Sequence, residues 1–255
     1  WYRQVWPAGE VEMRYGILSD VHGNLEALEV VLGHLEQEAV DEYVFLGDAG
    51  GYGANPNEVC NLLRESCNWA VLGNHDAALV GKIDYSGYYE SARHSIHWCK
   101  GQLSATNYEW LVELPYTQAV NELLFSHGAP VAPELFEYLV TKEDVVNMLD
   151  GVDYLPAVTF IGHSHLSVGF RVKGGTVERI LDEAIACEKQ AQFIITAGSV
   201  GQPRDRNPKT CCGVYDSETR VFRYYRLEYD RLTARKKIID ADLAVAFGDR
   251  LLVGI

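Results

Sequence analysis

The sequence reads as an α/β chain, with two packed sheets flanked by helices. Over the first two thirds, short apolar runs alternate with helix-patterned segments, the grammar of βαβ units and a mainly parallel sheet. From Leu166 onward the pattern changes to period-2 runs joined by tight turns, as in antiparallel hairpins. No Pro/Gly-rich linker, repeat or low-complexity tract interrupts the chain. Residues 14–255 are therefore expected to form a single domain and residues 1–13 an N-terminal extension, with Met13 a plausible start.

Taken in order, residues 14–19 read as a strand, and 24–35 as a helix with apolar residues at Leu25, Leu28, Val31, Leu32 and Leu35. A second strand covers 43–46. Asn55, Pro56 and Glu58 then supply a cap, a proline at the first helical position and an acidic first turn, opening a helix to about Ser66. A third strand spans 69–72, followed by helical stretches at 75–80, 90–100 and 106–111. Strands at 123–126 and 158–161 are separated by a helix at 142–149. Residues 167–173 and 176–180 flank Gly174-Gly175 as a hairpin, and 213–216 pairs with 220–227 as another. Helices at 231–239 and 241–252 close the chain.

Composition excludes several classes. With 47% hydrophobic and 23% charged residues in 255, the chain is that of an ordinary globular protein, and no apolar run approaches the about 18 residues of a membrane helix. Thirty-six acidic against 22 basic residues give a net charge of −14, so no stable nucleic-acid partner is expected, and an anionic ligand needs local help. The six cysteines form no C-x-x-C pair and read as free thiols in a reducing cytoplasm. Residues 1–13 carry no apolar core of a secretory signal.

The residues at the end of each apolar run carry the chemistry. The first run ends in Asp20-Val21-His22, the second in Asp48, the third in Asn74-His75-Asp76, and two later ones in His127-Gly128 and His163-Ser164-His165. The carboxyl ends of parallel strands open into one crevice, where such folds bind ligands. A lone Asp or His after a strand is ordinarily a cap or a hydrogen-bonded surface residue. Five of the eight histidines at strand ends are a different matter. Period-2 geometry is expected to put Asp20 with His22, and His163 with His165, on one side of extended segments.

These positions give seven candidate ligands: Asp20, His22, Asp48, Asn74, His127, His163 and His165. If Asp48 bridges, they make eight bonds, four to each of two divalent ions. Imidazole and carboxylate without thiolate suit Mn, Fe, Zn or Ni. Such a pair can share a water, lower its pKa and clamp a phosphoryl group for in-line attack. His75 is left over to protonate the leaving oxygen, with Asp76 expected to fix its tautomer, or His75 serves only to orient a ligand.

Together these blocks, D-x-H (Asp20, His22), G-D (Gly47, Asp48), G-N-H-D (Gly73 to Asp76), H-G (His127, Gly128) and G-H-x-H (Gly162 to His165), resemble the calcineurin-like metallophosphoesterases. Residues 51–58 and 198–205 look like the small bacterial cytosolic phosphodiesterase branch. The resemblance implies a four-layer αββα sandwich, one metal held by Asp20, His22, Asp48 and His165, and the other by Asp48, Asn74, His127 and His163. It also implies that His75 is the general acid. The sequence departs from relatives at Thr196-Ala197, where Asn-Pro is expected, and after Asp48, where the extra acidic residue of many members is missing.

Other residues carry two readings. His94 and His97 could bind a metal but read as exposed helix polarity, and Arg204 and Arg206 could grip phosphate or only anchor their loop. Tyr52, Tyr85, Tyr88 and Tyr89 could stack on a base or pack in the core. The expected function is a binuclear phosphoesterase that hydrolyses a small phosphodiester or nucleotide through a metal-bridging hydroxide. The alternatives are a phosphomonoesterase or protein phosphatase, and a non-catalytic scaffold of the same fold. The expected partner is a small phosphorylated substrate, and no membrane; oligomeric state is not legible.

Overall fold

In a computed structural model, residues 12–152 and 154–255 are described. Residues 1–11 of the expected extension lie outside them, while Met13 exchanges hydrogen bonds with Ser217. The elements are β1 (Arg14–Leu18), α1 (Leu25–Gln37), β2 (Glu42–Phe45), α2 (Pro56–Ser66), β3 (Trp69–Ala70), α3 (Asn74–Leu79), α4 (Glu90–Gln102) and α5 (Ala105–Glu113). They continue as β4 (Thr117–Val120), β5 (Leu123–Ser126), α6 (Lys142–Leu149), β6 (Val158–Ile161), β7 (Gly169–Lys173) and β8 (Thr176–Ile180). The last are β9 (Ala184–Ala186), β10 (Gln192–Thr196), β11 (Thr210–Asp216), β12 (Val221–Leu227), α7 (Arg231–Asp240) and α8 (Val245–Val253).

Two six-stranded mixed sheets result, ordered β3-β2-β1-β11-β12-β9 and β4-β5-β6-β10-β7-β8. Parallel pairing joins β1, β2 and β3 in the first and β5, β6 and β10 in the second. Antiparallel hairpins complete each sheet. Alternation along β1 shows the layering. Tyr15 and Ile17 face an inter-sheet core with Phe125, Phe160, Phe193 and Phe222, whereas Leu18 joins the outer core under α1, α2 and α7. On the far side, α6 covers Ile161, Phe170 and Ile194. The four layers are thus helices, sheet, sheet and helix.

Three strands, β4, β9 and β10, are absent from the sequence expectation. β10 is the one that matters for the site. Its apolar run Phe193-Ile194-Ile195 is buried on both faces, so neither period separates it from a helix fragment. β11 begins three residues earlier than expected because, lying between β1 and β12, it is buried on both faces and loses alternation. The final helix begins at Val245 because Asp242, with φ +57°, ends α7 in a left-handed turn.

Candidate metal centre

All five loops that carry the candidate ligands leave the carboxyl ends of the parallel strands β1, β2, β3, β5 and β6, and meet where the two sheets abut. Backbone bonds lock the loops together. Asp20 N–H donates to Gly47 O (2.9 Å), His22 N–H to Asp48 O (2.9 Å) and Gly162 N–H to His127 O (2.9 Å). Asp20 Oδ2 accepts the His163 amide across the sheets at 3.0 Å. The extended segments expected for Asp20–His22 and His163–His165 do not form. Asp20, His22, Asp48, His163 and His165 all take positive φ, between +48° and +65°. The side chains converge through tight left-handed loops, at a cost of order 1 kcal/mol for each non-glycine residue. Gly73 lets the third loop press onto Asp48, where a Cβ would strike the carboxylate.

The seven ligand candidates are buried and gathered into one cluster. One group is Asp20, His22 and His165; another is Asp48, His127 and His163. His22 also groups with Asp48 and His75, and within each triad the candidate atoms lie within 4.8 Å of one another. Asp48 Oδ2 sits between the two halves, 3.6 Å from His22 Nε2 and 3.4 Å from His127 Nε2. Asn74 Oδ1 lies 3.1 Å from His127 Nε2, while its Nδ2 donates to Tyr88 Oη at 2.8 Å.

Backbone carbonyls define how the imidazoles present themselves. His22 Nδ1 faces Gly50 O (3.0 Å), His127 Nδ1 faces Leu46 O (2.6 Å) and His165 Nδ1 faces Gln202 O (2.6 Å). A nitrogen facing a carbonyl must be the N–H, so in the neutral form of each ring Nε2 is a lone pair aimed inward. His22 Nε2 and His165 Nε2 nevertheless face each other at 3.2 Å, and His165 Nε2 is 3.3 Å from Asp20 Oδ1. Asp20 Oδ1 itself is buried without a hydrogen-bond partner among the described residues. Lone pairs and a carboxylate converging on one point repel unless a cation lies between them, so the donor set fits a divalent metal.

Burial lowers His22 and His165 well below the usual imidazole value and His163 to about 3, which holds them neutral and ready to donate. Burial opposes charge on His127 too, yet the Asp48 carboxylate and its hydrogen bond outweigh it and raise His127 to about 9. The same pairing, with His75, holds Asp48 well below the carboxylate range against its burial. Burial, resisted by His127, lifts Asp20 to about 7.

His75 is buried beside the cluster, its ring 4.8 Å from that of His22 and 4.6 Å from that of Tyr52. Its amide donates to Asp48 Oδ1 at 2.8 Å, and its Nδ1 has no partner among the described residues. Gly51 packs on that nitrogen so closely that a Cβ there would strike it. The expectation that Asp76 fixes the His75 tautomer is therefore wrong. Both Asp76 oxygens are taken by backbone amides, those of Asp48 (2.7 Å), Ala49 (2.9 Å), Gly50 (3.2 Å) and Gly73 (3.3 Å).

Arg204 stands at the rim, its guanidinium held by Gln202 Oε1 at 2.9 Å and 5.7 Å from the Tyr52 ring centroid. Arg206 is exposed and bonded through its amide to Gly254 O, away from the ligands. His94 and His97 are exposed on α4, as expected for helix polarity. Of the tyrosines, Tyr52 and Tyr88 contact the site and Tyr85 packs on the helical core. Sequence reasoning missed Gln202, which serves both His165 and Arg204 from within the 198–205 block, and Tyr138, whose ring stacks on His163.

The calcineurin-like phosphoesterase superfamily domain matches this chain over residues 13–220. This chain belongs to that superfamily. An uncharacterised protein of Methanocaldococcus jannaschii is 34% identical over 252 residues, covering 96% of this chain and 99% of the relative. The crystal structure of a metallophosphoesterase from Sphaerobacter thermophilus is similar with a TM-score of 0.82 and 30% identity, covering 96% of this chain and all (100%) of that one. A hypothetical protein from Pyrococcus horikoshii shares the fold at TM-score 0.73 and 17% identity, covering 96% and 99%. Superfamily members typically bind divalent metals, and the His/Asp clusters of this phosphoesterase could hold them.

Proposed function

We propose that this phosphoesterase is binuclear and hydrolyses a small phosphodiester or nucleotide, with residues 14–255 as its working unit. The observation that carries the reading is the convergence of His22 Nε2, His165 Nε2 and the unpartnered Asp20 Oδ1 on one point, with Asp48 Oδ2 placed between this half of the cluster and His127. Asp20, His22, Asp48 and His165 would hold one ion and Asp48, Asn74, His127 and His163 the other. The donor types suit Mn, Fe, Zn or Ni. Bound ions would supply an activated water and positive charge toward phosphoryl oxygens.

The chain's own groups do the rest. His75 donates a proton to the leaving oxygen: its Nδ1 is closed against Gly51, which leaves Nε2 for the substrate. Burial lowers His75 to about 4, and an anionic phosphate beside it favours the protonated form. Arg204 is the side chain at the rim that can meet a phosphate oxygen. Retention of His75 beside a complete ligand set counts against the scaffold reading, since a scaffold has no use for an acid.

No helix among the described residues is long and apolar enough to cross a membrane, and the six cysteines are free. Free thiols support a reducing, cytoplasmic setting. The test is a panel of phosphodiesters, cyclic nucleotides and monoesters, assayed with each candidate metal alongside elemental analysis. Turnover of diesters above monoesters with two metals bound supports the reading. Two bound metals with no turnover of any ester would favour the scaffold.

A further inference from the structure

Tyr138 is 53% exposed, yet its position is closely defined. Its ring lies 3.7 Å from that of His163 with the planes 19° apart, a parallel stack. Buried residues on either side pin it, Phe136 at 6% and Leu139 at 3% exposure. Phe136 meets the His127 ring edge-on at 5.8 Å, and Glu137 O accepts the Ala129 amide at 2.9 Å. The Tyr138 hydroxyl also lies within the electrostatic reach of Arg204, Asp48 and Asp20. A large ring is thus held flat beside the ligand cluster, one face on a candidate ligand and half of the residue open to solvent. Its rotamer is restrained before any ligand arrives, which lowers the entropic cost of stacking on it.

We infer that Tyr138 is the platform on which the base of a nucleoside phosphoester stacks, so that the substrate class is a nucleotide or nucleoside-containing diester. This rests on the phosphoesterase reading above for the position of the phosphate. The distance argues for a base over an aryl ester. The Tyr138 ring lies one stacked layer from the His163 imidazole, so a base on its other face would lie two layers away. A ring bonded directly to the ester oxygen stays close to the phosphorus, whereas a base joined through a sugar reaches further out. The Tyr88 hydroxyl, accepting from Asn74 at 2.8 Å, leaves a polar group beside the same half of the cluster for the sugar.

The test is equilibrium binding to the manganese-loaded protein of three non-hydrolysable phosphonates that share the anion: the 5′-phosphonates of adenosine and ribose, and benzylphosphonate. Adenosine phosphonate should bind about 10-fold more tightly than ribose phosphonate, from base–aromatic stacking. Tyr138→Ala should erase that difference and leave ribose phosphonate within about twofold, while Tyr138→Phe keeps it. Equal weakening of all three ligands would mean that Tyr138 merely supports His163 and would overturn the inference. So would a loss on benzylphosphonate as large as on the adenosine compound. A protein that turned over no ester but kept the base preference would remove the reading beneath and leave the platform. Turnover without base preference would do the reverse.

Discussion

Asp76 Oδ2 accepts the backbone amide of Asp48 at 2.7 Å, and the same carboxylate also takes the amides of Ala49, Gly50 and Gly73. The residue two positions after a candidate ligand therefore shapes the loop that carries another. Asp76→Ala strands these four donors in the interior at about 1–3 kcal/mol each, so a loss of about 4 kcal/mol or more is expected. Metal affinity should fall with it. Denaturant unfolding and metal content of Asp76→Ala measure both; unchanged stability would refute the clamp.

Asp48→Asn should weaken both ions, because Asp48 lies within reach of His22 in one half and His127 in the other. Asp20→Asn should weaken only one. Elemental analysis of the two purified variants decides. Two tightly held ions in Asp48→Asn would remove the bridge.

Metal uptake should release protons. Without metal, His127 holds a proton up to about pH 9, and Asp20 titrates near 7. Both must shed protons to act as ligands, so affinity rises with pH, up to about tenfold per unit for each proton displaced. The metal-free stability behaves oppositely at this pair. His127 is raised above its unfolded value of 6.5, so its contribution is complete below 6.5 and is lost as pH climbs through about 9. Calorimetry in buffers of different ionisation enthalpy counts the released protons, and a pH-independent affinity between 6 and 9 would contradict the assignment.

His75→Asn should leave metal content near normal and lower kcat by roughly 10² to 10⁴-fold on esters with alkoxide-like leaving groups. Nitrophenyl esters need little protonation and should lose much less. Equal losses on both, with weakened metal binding, would make His75 a support for the ligands. Asp76→Asn is not expected to mimic the leaving-group pattern, since its carboxylate does not meet the imidazole.

Phosphate or vanadate should inhibit competitively, and Arg204→Gln should weaken that inhibition by about tenfold, whereas Arg206→Gln, exposed and turned away, should not. A chelator should abolish anion binding altogether. Anion binding that survives chelation would place the anion on Arg204 alone.

Much of the site was legible because its chemistry sits at strand ends. Apolar runs closing in Asp48, His127 or His163 announce themselves locally, and a parallel arrangement sends them to one crevice. Asp76 shows where such reasoning fails. Adjacency to His75 suggested a dyad, but a short helix turns successive side chains apart, and Asp76 points back to the β2 loop. Tyr138 was invisible for a similar reason, as nothing nearby in sequence says that its ring would lie on an imidazole 25 positions later.

Residue type and spacing by themselves determined the mixed α/β class, the candidate donor set and the loops that carry it, because hydrophobic periodicity and ligand chemistry are local properties. Tertiary structure alone decided which imidazole nitrogen points inward, since the carbonyls of Leu46, Gly50 and Gln202 come from other loops. It also decided the role of Asp76, the split between Arg204 and Arg206, and the place of β10 between β6 and β7. The physical reason is common to all four: hydrogen-bond partners and strand neighbours are chosen by long-range packing, which a single chain position does not encode.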